Sequence, residues 1–129
     1  MVKRILIIDD ELYFAKLVKM NLELSGNFKV ETALKGREGI KLAVKLKPHL
    51  ILLDLLMPDI DGFEVLEILK KDSKTARIPV IMLSAKSDEE TRIQVLKKKD
   101  VKLFITKPIG SEELRGKITK VLEGKAKRN

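Results

Sequence analysis

Several short apolar runs in this sequence end in residues that carry chemistry. Residues 4–8 run into Asp9 and Asp10, residues 50–53 into Asp54, residues 79–83 into Ser84, and residues 101–105 into Thr106 and Lys107. A carboxylate at the end of a buried apolar run is costly unless something there needs it. Three carboxylates in one crevice repel, and left alone at least one is pushed toward its protonated form. A bound divalent cation removes the conflict. The ligands on offer are all oxygen, with no His or Cys among them, which suits Mg2+ taking one or two carboxylates, waters and phosphate oxygens. Lys107 supplies a point charge suited to phosphate, and Ser84 a hydroxyl donor. Metal, lysine and hydroxyl around one carboxylate describe phosphoryl transfer, with Asp54 as the nucleophile that forms an acyl phosphate.

Taken singly, each residue has a plainer role. Asp9 or Asp10 can cap the helix that follows it. Ser84 can be a turn residue, and an isolated Lys107 a solvated surface charge. Asp54 is the hardest to dismiss, because it closes a strand that reads as buried. The joint placement favours a site.

The period of the apolar residues gives the elements that must position these groups. Residues 4–8, 28–32, 50–53, 79–83 and 101–105 read as strands. Between them lie helical patterns. Leu12, Phe14, Leu17, Val18 and Leu22 mark the first, stopped near Gly26. Gly39, Ile40, Ala43, Val44 and Leu46 mark the second, stopped by Pro48. Asp61 with Glu64 and Ser87 with Glu90 read as capping boxes for helices running to about Lys71 and Lys98. Ser111 reads as the cap of a last helix, which carries Leu114, Ile118, Val121 and Leu122 on one face and ends at Gly124. Strict alternation with short connections predicts an α/β fold, a five-stranded parallel sheet flanked by five helices. The common order 2-1-3-4-5 sets the first strand beside the third. Asp9 and Asp10 then meet Asp54 at the carboxyl edge of the sheet, where such folds bind ligands.

Composition narrows the setting. A chain of 129 residues with 44% hydrophobic residues supports one packed domain. The absence of cysteine excludes a disulfide framework, a thiol nucleophile and a cysteine-based zinc site. The N-terminal apolar run is too short, and too acidic at its end, for a signal peptide. No stretch approaches a membrane span. A cytoplasmic protein with no membrane partner is expected. The net charge of +8 raises nucleic acid or an acidic protein as partners.

The motifs IDD at 8–10, LLDLLMPDIDG at 52–62, Ser84-Ala85 and Lys107-Pro108 together resemble the receiver domain of two-component response regulators, of the single-domain chemotaxis type. The resemblance covers essentially the whole chain, with 1–124 as the receiver and 125–129 as a basic tail. It implies a flavodoxin-like doubly wound fold and a phosphorylation-dependent switch rather than an enzyme. It implies Asp54 as the phosphoacceptor, served by a histidine kinase as phosphodonor. Asp9, Asp10, Asp54 and the backbone carbonyl of Leu56 become the Mg2+ ligands, with Asp10 the more direct of the acidic pair. Lys107 pairs with the phosphoryl group, Ser84 swings to it, and Phe104 is the aromatic switch. Pro108 follows a cis bond. Pro58 and Gly62 shape the loop after Asp54, Gly62 by allowing close backbone approach.

The output is expected on the fourth helix, fifth strand and fifth helix. Lys97, Lys98, Lys99, Lys102, Arg115, Lys117 and Lys120 form a basic face there for an unidentified, acidic downstream partner. The fourth helix, anchored by Ile93, Val95 and Leu96, is expected to be the loosest element. Leu56 and Lys86 flank the site and are expected to tune water access. Two stretches depart from the family pattern: Asp100-Val101-Lys102-Leu103 where a Gly-Ala turn is common, and His49 where Asp is common.

Rival readings fit less well. An aspartyl phosphatase usually carries a second Asp two residues after the nucleophile, where this chain has Leu56. A nucleic-acid-binding module is motivated by the net charge alone, and direct nucleic-acid binding is not expected. A flavin-binding domain lacks its phosphate cradle in the first loop.

Overall fold

The computed structural model describes residues 1–85 and 88–126. Strands β1 (Lys3–Ile8), β2 (Phe28–Ala33), β3 (Leu50–Asp54), β4 (Val80–Ser84) and β5 (Val101–Thr106) alternate with helices α1 (Leu12–Leu24), α2 (Gly36–Leu46), α3 (Gly62–Lys71), α4 (Glu89–Leu96) and α5 (Ser111–Leu122). All strand pairs are parallel, in the order β2-β1-β3-β4-β5. This is the expected flavodoxin-like order, the common one for five alternating strands.

Period two sorts the buried residues onto two faces. Ile5, Ile7, Leu50, Leu52, Ile81 and Leu83 pack with the inner stripes of α1 and α5. Leu6, Ile8, Ile51, Leu53, Val80 and Met82 pack with α2, α3 and α4. Burial on both faces is why β1, β3 and β4 read as continuous apolar runs. The stretch Asp100 to Leu103 enters β5 through a bulge: Val80 pairs with Val101 but Ile81 with Leu103, so Lys102 is the extra residue.

Some local expectations are corrected. In α1 the buried stripe is Ala15, Val18 and Leu22. Leu17 is 51% and Leu12 42% exposed. With Tyr13, Met20 and Leu24, Leu17 forms a second apolar row at i, i+4, i+7 and i+11 that faces solvent. The sequence merges the two rows because α1 is apolar around much of its circumference. Ser111 is the first residue of α5 rather than its cap, a place taken by Gly110. The Ser111 hydroxyl instead accepts from the Asn21 amide of α1 at 2.8 Å. Neither Asp9 nor Asp10 caps α1; the N-cap is Glu11. Ser87 and Lys86 lie outside the described residues, and the cap of α4 is Asp88, whose carboxylate accepts from Thr91. α4 stops at Leu96, and Ile93 is 44% exposed, leaving Thr91 and Val95 as its buried residues. Asp61 caps α3 as expected, accepting from the Glu64 N–H at 2.9 Å.

Candidate functional site: an acidic pocket at the carboxyl edge of the sheet

β1 and β3 are neighbours, with Ile8 opposite Leu53. The residues that follow therefore share one edge. Carboxylate oxygens of Asp9, Asp10 and Asp54 lie within 4.8 Å of one another. Asp9 is fully buried, Asp54 nearly so, and Asp10 exposed. From the far side of the sheet Lys107 reaches across, its Nζ 2.7 Å from Asp9 Oδ2 and 3.9 Å from Asp54 Oδ1. The Lys107-Pro108 bond is cis, as the resemblance implied.

The electrostatics follow from burial and crowding. Burial first, then the Asp9 carboxylate, push Asp54 up to about 7, while Lys107 pulls the other way. Burial likewise raises Asp9, opposed by Lys107 and the Glu11 N–H. For Lys107, burial is the largest influence and acts downward, but the combined pull of Asp9, Glu11 and Asp54 leaves it above its ordinary value. One ammonium does not neutralise three carboxylates. An all-oxygen donor set with surplus negative charge, one member open to water, fits a hard divalent cation.

The loop from Asp54 to α3 is closed by tight backbone contacts. The Gly62 N–H donates to the Leu55 carbonyl at 2.7 Å. A Cβ on Gly62 would sit 2.6 Å from the Asp54 carbonyl oxygen, so the close approach expected at this glycine is present. Leu56 is exposed at the pocket mouth.

Ser84 is buried and ends β4, one residue beyond the pairing partner of Asp54. Its carbonyl accepts the Lys107 N–H at 2.8 Å, tying the two residues together. Phe104 is half-buried among the α4-side core residues. It borders a cleft of about 230 Å³ between α4, β5 and α5, lined also by Val95, Leu96, Ile109 and Lys117. His49 lies away from the pocket, its Nδ1 accepting the Arg4 N–H at 2.9 Å.

Three residues, two at the pocket and one in the loop after Asp54, escape the sequence reading. The Glu11 carboxylate lies 2.5 Å from Lys107 Nζ, and the Phe14 ring centroid 4.3 Å from it. Asp59 accepts the N–H groups of Gly36 and Arg37 at 2.9 and 3.0 Å, capping α2 from the loop after Asp54. The signal for Glu11 was its place directly after the acidic pair. Phe14 and Asp59 carried none, because their contacts exist only in the folded chain.

A five-stranded doubly wound sheet with a carboxylate pocket at its switch point, reached by a lysine from the edge strand β5, defines a class of flavodoxin-like α/β domains that bind ligands at this edge. The comparisons make the class specific. The family described as "Response regulator receiver domain" matches residues 5–119. The chain is 42% identical over 119 residues to the DNA-binding dual master transcriptional regulator RpaA of Synechocystis sp., covering 92% of this chain and 48% of RpaA. It is 40% identical to the protein PilH of Pseudomonas aeruginosa, covering 94% of this chain and 98% of PilH. It thus spans about half the length of the first relative and nearly all of the second. The crystal structure of a CheY-like response regulator receiver domain from Methanospirillum hungatei superposes with a TM-score of 0.85 at 30% identity, covering 97% of each chain. This chain belongs to the response regulator receiver domain family, and its function is phosphorylation-dependent signalling in a two-component system. Among the described residues no helix is long and apolar enough to cross a membrane.

Proposed function

We propose that Asp54 is the residue phosphorylated, that residues 1–124 form the receiver and 125–129 a basic tail, and that the domain works in the cytoplasm with a histidine kinase as phosphodonor. The observation that carries the assignment is the convergence of Asp9, Asp10 and Asp54 within 4.8 Å, with Lys107 as the cation facing them. In the step itself an Asp54 carboxylate oxygen attacks the phosphorus of the kinase phosphohistidine. A P–O bond forms, the P–N bond breaks, and the imidazole keeps the electron pair and takes a proton. Asp9, Asp10 and Asp54, with the Leu56 backbone carbonyl, would hold Mg2+. When bound, the cation supplies charge neutralisation for the carboxylates and a contact for a phosphoryl oxygen. Lys107 then pairs with the phosphoryl group and Ser84 donates its hydroxyl to it.

Phosphorylation adds roughly −1.5 to −2 charge at the pocket. Drawing Ser84 toward that charge makes room for Phe104 beside the cleft it borders, and α4, with two buried anchors, follows. The altered α4-β5-α5 face changes affinity for a downstream partner. Leu56 and Lys86 set water access to the acyl phosphate in part. The protein takes part in its own phosphorylation and dephosphorylation but turns over no separate substrate. Borohydride trapping after treatment with acetyl phosphate and Mg2+, followed by peptide mapping, tests the assignment. The label is expected at Asp54; a label at any other carboxylate removes it.

A further inference from the structure

The Lys107 ammonium rests closer to the residues that follow β1 than to Asp54. It has three protons. It lies 2.7 Å from Asp9 and 2.5 Å from Glu11, but 3.9 Å from Asp54. The Phe14 ring, 4.3 Å from Nζ to its centroid, adds a cation–π attraction on the same side. All three holders come from the end of β1 and the first turn of α1. They draw the lysine away from the phosphoacceptor.

The holders differ in how easily they let go. Asp9 is fully buried, and its other oxygen is engaged by the Glu11 N–H at 2.9 Å. That bond fixes the Glu11 backbone at the mouth of α1. The Glu11 side chain is 57% exposed and makes no cap bond to the helix it opens. A half-exposed carboxylate can return to water at little cost, whereas a buried one cannot.

From this geometry we infer that Glu11 is a positioning residue that holds Lys107 off Asp54 in the unphosphorylated protein and competes with the phosphoryl group for it. The inference rests on Asp54 being the phosphoacceptor. Glu11 thereby sets how much of the phosphoryl contact energy is spent on freeing Lys107, and so tunes the resting balance of the switch. An exposed ion pair is worth a factor of about two to five, which is the size of effect expected.

Binding of beryllium trifluoride, which occupies a carboxylate as a phosphoryl mimic, tests this in the presence of Mg2+ by 19F NMR. The proteins are the wild type, Glu11→Gln, Lys107→Ala and the double variant. Glu11→Gln keeps the size and removes the charge. It is expected to bind the mimic about two- to fivefold more tightly, with no further change from Glu11→Gln once Lys107 is absent. A merely structural role for Glu11 does not produce that dependence on Lys107. Unchanged affinity in Glu11→Gln overturns the inference and leaves the phosphoacceptor reading standing. A tightening that persists in the double variant also overturns it, because Glu11 then acts through something other than Lys107. If the folded wild type does not bind the mimic at all, the phosphoacceptor reading fails and takes the inference with it. Should Lys107→Ala not fold, Lys107→Gln replaces it in the same cycle.

Discussion

Asp54 is held in the pocket against its own electrostatics. Its folded pKa, raised to about 7 by burial and by Asp9, lies above the ordinary value near 4. Below about pH 4 both folded and unfolded chains carry the proton, so the raised pKa costs nothing. As pH rises through 7 the unfolded chain has ionised freely and the folded one at a cost, so stability falls across that window. Asp54→Asn should therefore stabilise the metal-free protein at pH 8, on the order of 2–4 kcal/mol, and lose the advantage below pH 4. Urea denaturation in EDTA at the two pH values measures it, and equal gains at both would contradict the electrostatic origin. Mg2+ should reverse the comparison, raising the wild-type melting temperature more than that of Asp54→Asn. The groups that make this conflict were legible because each directly follows an apolar run. The groups that modulate it were not: Phe14 reads as an ordinary helix-face residue until the fold sets its ring against Lys107.

At the scale of elements, the loop after Asp54 is locked at both ends. Gly62 closes it against the Asp54 backbone, where a Cβ has no room. Gly62→Ala should cost about 1–3 kcal/mol and slow phosphorylation, seen as a lower denaturant midpoint and a lower rate of adduct formation. Asp59 ties the same loop to the start of α2, and the Arg37 and Gly36 N–H groups hold its carboxyl down to about 2. A lowered carboxylate pKa gives stability that is present above pH 4 and lost as pH falls toward 2. Asp59→Asn should be less stable than the wild type at pH 6, with the gap closing on acidification; a constant gap would rule out the charged cap.

Gly62 was readable through the family resemblance, and the Asp61 cap because its partner lies three positions on. The Ser111 cap was misread because a hydroxyl before a helical pattern can instead bond across to another helix, as it does to Asn21. The α1 face was misread because two apolar rows share one helix and only tertiary packing chooses between them.

Across the whole molecule, the parallel sheet followed from strict alternation, its order from 2-1-3-4-5 being the common one for five strands, and the site edge from the polar residues that end the strands. Charge is sorted along the α4-β5-α5 face in a way the net value hides. Asp88, Glu89, Glu90, Glu112 and Glu113 sit at the starts of α4 and α5, favoured there by the helix dipoles. Lys97, Lys98, Lys99, Lys102 and Lys120 lie exposed toward the other ends. A partner with an acidic patch placed to meet that basic end is expected. Reversing Lys97, Lys99 and Lys102 to Glu should weaken partner binding about tenfold at low salt and flatten its salt dependence; unchanged affinity would remove this face from the output.

On the reading proposed above, the acidic pocket works as a metal-assisted phosphoacceptor centred on Asp54. Intact-mass spectrometry after incubation with acetyl phosphate, with and without Mg2+, for the wild type and Asp54→Ala, tests it most directly. A single phosphoryl adduct is expected that requires the cation and is absent from the variant. A folded, Mg2+-supplied wild type that forms no adduct, or a variant that still forms it, would contradict the claim.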